Sequence, residues 1–190
     1  MIVGTAIRPR RGEKVSGDAI VVRQAGTRTL FAVIDALGHG PVAHETAQLA
    51  VQHLEEKDIQ LPAAELMKSV HEALRGSRGA AVTLGVIDGR SIEVVGVGNV
   101  ELRCRHGYVP FASTPGIVGM GMRRLRVASA ELQPASRLFI FSDGISRRVD
   151  LQVADALSAN EAATTLLSRY GNLNDDASIL CLAPAALETT

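Results

Sequence analysis

The sequence has no tryptophan and an aromatic content of only 3%. Proteins that grip single-stranded nucleic acid by base stacking need aromatic platforms, and four phenylalanines with two tyrosines supply few. Nor is there an excess of positive charge to draw in a polyanion, since 20 Lys and Arg offset 20 Asp and Glu. Nucleic acid is therefore not an expected partner. Long apolar runs are missing too: none approaches the roughly 18 residues that a membrane-crossing helix requires. The opening Met1 to Ile7 is followed, not preceded, by Arg8, Arg10 and Arg11, the reverse of a secretory leader. No membrane partner is expected, and the chain reads as soluble and cytoplasmic. Cysteine is scarce. Cys104 and Cys181 stand far apart in strand-like sequence with no His/Cys cluster beside them, which points to packed thiols and away from a disulfide or a zinc site.

What is present is a generous supply of Val, Leu, Ile and Ala, within a chain 46% hydrophobic and 190 residues long. That suffices for one sizeable core, and no repeat, low-complexity block or linker divides it, so a single domain over residues 1–190 is expected. Its most informative stretch runs from Leu30 to Gly40. Leu30-Phe31-Ala32-Val33-Ile34 is fully apolar, as a strand covered on both faces would be, and it ends on Asp35, with Gly38-His39-Gly40 close behind. A carboxylate at the end of a core strand is costly unless it caps a helix, pairs with a cation or holds a metal.

The preceding segment, Asp18 to Arg23, also reads as a strand, and Gln24 to Arg28 carries the turn signal between them. A turn centred near Gly26 and Thr27 places residue 18 opposite residue 35, so that two aspartates share one end of the ladder. Helical spacing follows from Pro41 to about Lys57 and from Pro62 to about Leu74. The period then changes. Ala80 to Ile87, the Asp88-Gly89 turn and Ser91 to Val97 predict a second hairpin, and Glu101 to Arg105 with Tyr108 to Phe111 predict two further strands around His106-Gly107. Thr114 to Gly121 reads as a loop and Arg124 to Ala130 as a strand, while residues after Pro184 read as a frayed tail.

Arg137 to Phe141 is another apolar run ending in an acid, Ser142-Asp143-Gly144. A last helix begins at a capping box, Ser158 with Glu161, and stops at Gly171; Asp175 and Asp176 then precede a closing strand, Ala177 to Leu182. Antiparallel pairing of that strand with the one ending at Phe141 would make Asp175 at its start face Asp143 at the other's end. The expected architecture is α+β, with helices packed on largely antiparallel sheets.

Carboxylates gathered at one end of a sheet repel, and a divalent cation is the simplest remedy. All-oxygen ligation selects Mg2+ or Mn2+. Two such ions about 4 Å apart suit hydrolysis of a phosphomonoester by an activated water.

The order Gly17-Asp18, Asp35-x-x-Gly38-His39-Gly40, Ser142-Asp143-Gly144 and Asp175-Asp176-Ala177-Ser178 resembles the metal-dependent protein phosphatase (PPM) family in its bacterial SpoIIE/RsbU-like branch. The resemblance spans residues 17–178, and the Gly12-Glu13 to Asp18 opening with Val97-Gly98-Asn99-Val100 is similar to the stressosome phosphatases of that branch. It implies an α-β-β-α sandwich of two mainly antiparallel sheets flanked by helices. It further implies two Mn2+ or Mg2+ ions held by Asp18, Asp35, the carbonyl of Ala36, Asp143 and Asp175, with Asp35 bridging both and Asp18 reaching metal-bound water. The activity implied is hydrolysis of phosphoserine and phosphothreonine by a bimetal-activated water, and the partners implied are phosphorylated STAS-domain stressosome proteins. Asp35, Asp18 and His39 are the catalytic candidates, His39 as a proton donor or as a residue that positions its loop. Ala36 departs from the glycine common in larger members, and no arginine is assigned to the phosphate; Arg8, Arg10, Arg11 and Lys14 stay outside the expected site. Two other readings compete: a non-catalytic partner-binding relative of the same fold, and a receiver-like phosphoacceptor regulator, which would need alternating βα units.

Overall fold

The structure is a computed structural model that describes residues 1–184. Two antiparallel sheets form its middle layers. The first has the order β1 (Ile2–Arg8), β11 (Ala177–Ala183), β10 (Arg137–Phe141), β6 (Glu101–Arg105), and the second the order β2 (Asp18–Ala25), β3 (Arg28–Ala36), β4 (Ala80–Asp88), β5 (Ser91–Val97), β9 (Val127–Glu131). A short hairpin, β7 (Gly116–Ile117) with β8 (Gly121–Met122), rests on the start of β4. Helices α1 (Gly40–Glu56) and α2 (Ala63–Ala73) cover the second sheet, and α3 (Ala159–Tyr170) covers the first. The residues after Pro184, read above as a tail, lie outside the described residues.

The layers explain the unbroken apolar run of β3. Leu30, Ala32 and Ile34 join the core beneath α1 and α2, while Phe31 and Val33 join the core between the sheets. Both faces are covered, so alternation with polar residues would bury them unpaired. The same two-sided rule governs the strand ends. Ile20 and Val22 of β2, Leu138 and Ile140 of β10, and Leu180 and Leu182 of β11 all point into the inter-sheet core. Continuing each alternation by one step puts Asp18, Asp35, Ser142 and Ser178 on that inner face, where the apolar filling gives way to a polar plug.

The expected register of the β2–β3 hairpin is borne out, with Asp18 opposite Asp35, and the capping box at Ser158 and Glu161 is formed in both directions. The β10–β11 register pairs Phe141 with Ile179, so Asp143 lies level with Ala177 and not with Asp175, which reaches the same cavity from the loop before β11. Two further expectations need correction. Tyr108 to Phe111 is not a strand; His106 turns the chain at φ 54°, Pro110 has no N–H to offer a ladder, and β6 pairs with β10 instead. The strand foreseen over Arg124 to Ala130 begins only at Val127, and the loop foreseen before it contains the β7–β8 hairpin.

Candidate functional site

A cavity of about 190 Å3 opens at the end of the inter-sheet core. Asp35, Asp143 and Asp175 line it together with His39, Asn99 and Gly38. Three acids from distant parts of the sequence thus meet where strand ends of the two sheets converge. Asp18 lies behind them, 4% exposed, and accepts a hydrogen bond from Ser142 Oγ at 2.5 Å. That serine also accepts from Ser178 N at 3.0 Å, which ties β10, β11 and β2 together at one point.

The electrostatics of this cluster are those of uncompensated charge. Burial first, then the neighbouring Asp18 and after it Asp143 and Asp175, push the Asp35 carboxyl up to about 9. Asp18 is raised to about 7, chiefly by burial, with the Ser142 hydroxyl pulling the other way. Asp175 is raised by burial and by Asp143, and Arg10 is the cation that opposes this. Among the described residues no three His, Cys, Asp or Glu side chains stand close enough to grasp one ion as they lie. The acids therefore ring the cavity without converging on a point.

One backbone atom joins the oxygen set. Ala36 N donates to Gly17 O at 3.1 Å, and a narrow antiparallel pair would return a bond from Gly17 N to the Ala36 carbonyl. Gly17 N donates instead to Asp176 Oδ2 at 2.9 Å, leaving that buried carbonyl without the partner the ladder would provide. With the carboxylates it makes an all-oxygen donor set that fits a hard divalent ion.

Asp176 itself is 4% exposed and does a different job from Asp175. It accepts from Arg10 N at 2.8 Å and from Gly17 N, fastening the loop before β2 to the start of β11. His39 is the N-cap of α1 but makes no side-chain cap; its Nδ1 lies 2.7 Å from Glu13 Oε1, so the ring is held from the loop that Asp176 fastens. Asp35 is thus not the helix cap.

Asn99 was not foreseen as a site residue. It follows β5, lines the cavity and donates from Nδ2 to Asp143 Oδ2 at 2.6 Å. Its signal was the Gly98-Asn99 pair at the end of an apolar strand, the same punctuation that marked Asp35. Arg78 was also missed, because a lone exposed arginine in a loop carries no pattern; its guanidinium lies against Gly38 on the rim.

The family model for stage II sporulation protein E (SpoIIE) matches residues 25–184. The chain belongs to that family. It is a PPM member of the SpoIIE/RsbU-like branch, with the fold of the PP2C phosphatases. A solved chain from work on the bacterial stressosome, described as a modular system adapted to control secondary messenger signalling, is 30% identical, with a TM-score of 0.89 over 95% of this chain and 97% of that one. RsbX in complex with magnesium is 19% identical, with a TM-score of 0.77 over 93% and 92% of the two chains. The PP2C phosphatase domain and regulatory fragment of SpoIIE from Bacillus subtilis is 22% identical, with a TM-score of 0.79 over 95% of this chain and 62% of that one. No curated protein sequence matches the chain. Among the described residues no helix is long and apolar enough to cross a membrane.

Proposed function

We propose that the chain is a Mn2+- or Mg2+-dependent phosphatase of phosphoserine and phosphothreonine in proteins. The observation that carries this reading is Asp35: a carboxyl at the end of a core strand, directly opposite Asp18 and lining one cavity with Asp143 and Asp175. Asp18, Asp35, Asp143, Asp175 and the Ala36 carbonyl are the residues that would hold two ions. Such ions supply, when bound, positive charge against the phosphoryl oxygens and a lowered pKa for the attacking water.

The chain's own residues do the rest. Ser142 fixes the Asp18 carboxyl behind the cavity, and Asn99 fixes that of Asp143. His39 is oriented through Nδ1 by Glu13, and its other nitrogen, without a partner among the described residues, would give a proton to the serine or threonine oxygen that leaves. The cavity is small and acid-lined, suited to a phosphoryl group presented by a larger molecule and not to a whole cofactor.

The stressosome origin of the 30%-identical relative supports phosphorylated STAS-domain stressosome proteins as substrates, and with them a cytoplasmic setting. The deciding experiment is Mn2+-dependent phosphate release from a phosphoserine peptide by the wild type and by Asp35→Asn. Loss of release in the variant is expected. Equal rates in the two, or no release with any divalent ion, would overturn the reading and favour a non-catalytic binding protein.

A further inference from the structure

The cavity that holds Asp35 has a second depression beside it. A groove of about 510 Å3 runs between α1 and the turn after α2, bordered by Val42, Glu45 and Leu49 on one side and by Arg75 and Arg78 on the other. Val42 and Leu49, each 48% exposed, give the groove its apolar wall. Gly38 and Arg78 form the divide between the two hollows: Gly38 lines the cavity, and Arg78 lines the groove.

Arg78 is fastened in place by its backbone. Ser77 Oγ donates to Leu74 O at 2.6 Å and accepts from Gly79 N at 3.1 Å, and Leu37 N donates to Gly79 O at 3.0 Å. Its Nη1 stands 2.6 Å from where a Cβ on Gly38 would be, so the guanidinium lies directly against Gly38, whose φ of +93° favours glycine. Arg75 is taken up by Glu72 at 3.0 Å, whereas Arg78 has no ion pair among the described residues, and Glu45 does not reach it. An arginine on a fastened stretch of backbone, unpaired among the described residues, therefore stands on the rim between an acid-lined cavity and a partly apolar groove.

We infer that Arg78 is a specificity-determining residue that takes an acidic side chain flanking the phosphorylated residue of the substrate polypeptide, which leaves the cavity along this groove; the inference rests on the phosphatase reading above. With the phosphoryl group in the cavity, the chain that bears it exits over the rim; a second hollow meets the cavity at Asn99, but its Arg103 and Arg147 are both paired with Glu101, whereas on the Gly38 side Arg78 has no ion pair among the described residues. A carboxylate there meets an unpaired guanidinium, and a lysine meets a like charge.

The test uses two fluorescein-labelled phosphoserine peptides, alike except for glutamates or lysines beside the phosphoserine. Their kcat/KM values are compared with Mn2+, and the binding of their non-hydrolysable phosphonate counterparts, also with Mn2+, is read by anisotropy. The wild type is expected to favour the glutamate peptide about fivefold or more in both measurements. Arg78→Gln should abolish the preference and Arg78→Glu reverse it, while Arg169→Glu, the same charge change on the far helix α3, should leave it intact. A preference unaltered in Arg78→Glu, or altered equally by Arg169→Glu, overturns the inference. If no divalent ion supports hydrolysis, the phosphatase reading fails by itself and the anisotropy series still decides for or against Arg78. Thermal melts of each variant exclude misfolding as the cause.

Discussion

Asp18 and Asp35 face each other directly across the β2–β3 hairpin, both turned toward the space between the sheets. Opposed like charges destabilise a strand pair, and these two are also removed from water. A fold that keeps them together is strained at that point.

The first prediction concerns that strain. Asp35→Asn replaces a carboxyl that burial and its neighbours push up to about 9, and that folding must therefore protonate at pH 8, with an amide neutral in both states. Without metal, the variant should melt several degrees higher than the wild type at pH 8, since about 1 kcal/mol corresponds to roughly 2–4 °C in a domain of this size. With Mn2+ the order should reverse, because only the wild type gains from the ion. Calorimetry with and without Mn2+ checks this; a variant less stable than the wild type in both conditions would remove Asp35 as the centre of repulsion.

The second follows from the sign of the shifts. Asp18 and Asp35 move from 3.8 up to about 7 and about 9, so between roughly pH 4 and 9 the native chain binds more protons than the unfolded one. Metal-free stability should therefore be highest at the acidic end of that window and fall as pH rises through the two native values. Saturating Mn2+ should flatten the slope. Urea titrations at pH 5.5, 7 and 8.5 measure it, and a metal-free stability that rises with pH across the window would contradict it.

Much of this was legible in the sequence for definite reasons. The strand ending at Asp35 was visible because its neighbours cover it on both faces, and the residue opposite it was fixed by counting from the turn at Gly26. Asp143 and Asp175 were recognisable as acids beside apolar runs. Asn99 and Arg78 were not, since what distinguishes them is a contact across 44 residues in the first case and a position against Gly38 in the second. The division of labour between Asp175 and Asp176 was equally hidden: adjacent acids look alike until one is seen accepting two backbone N–H groups. Tyr108 to Phe111 misled because its composition suits a strand while Pro110 denies it the ladder.

The third prediction tests the clasp. Asp176→Ala strands the N–H groups of Arg10 and Gly17, the latter in a buried setting. A loss of about 2–4 kcal/mol is expected by urea denaturation, from charge-assisted bonds broken and donors left unpaired. Hydrogen exchange should quicken at Gly17 ahead of the strand cores. A change below about 0.5 kcal/mol would mean that the loop is held elsewhere.

The fourth separates chemistry from positioning at His39. If its free nitrogen protonates the leaving oxygen, the need for it depends on how basic that oxygen is. Serine alkoxide is strongly basic, whereas an activated phenolate such as p-nitrophenolate leaves without help. His39→Ala should then lower kcat on a phosphoserine peptide by about 100-fold or more and lower it far less on p-nitrophenyl phosphate. Glu13→Gln keeps a side chain of the same shape within reach of Nδ1 but removes the carboxylate 2.7 Å away that orients the ring, so it should lower kcat on the peptide more than on p-nitrophenyl phosphate, with KM little changed. Equal losses on both substrates would show that the ring only holds the loop between Gly38 and Gly40 in shape.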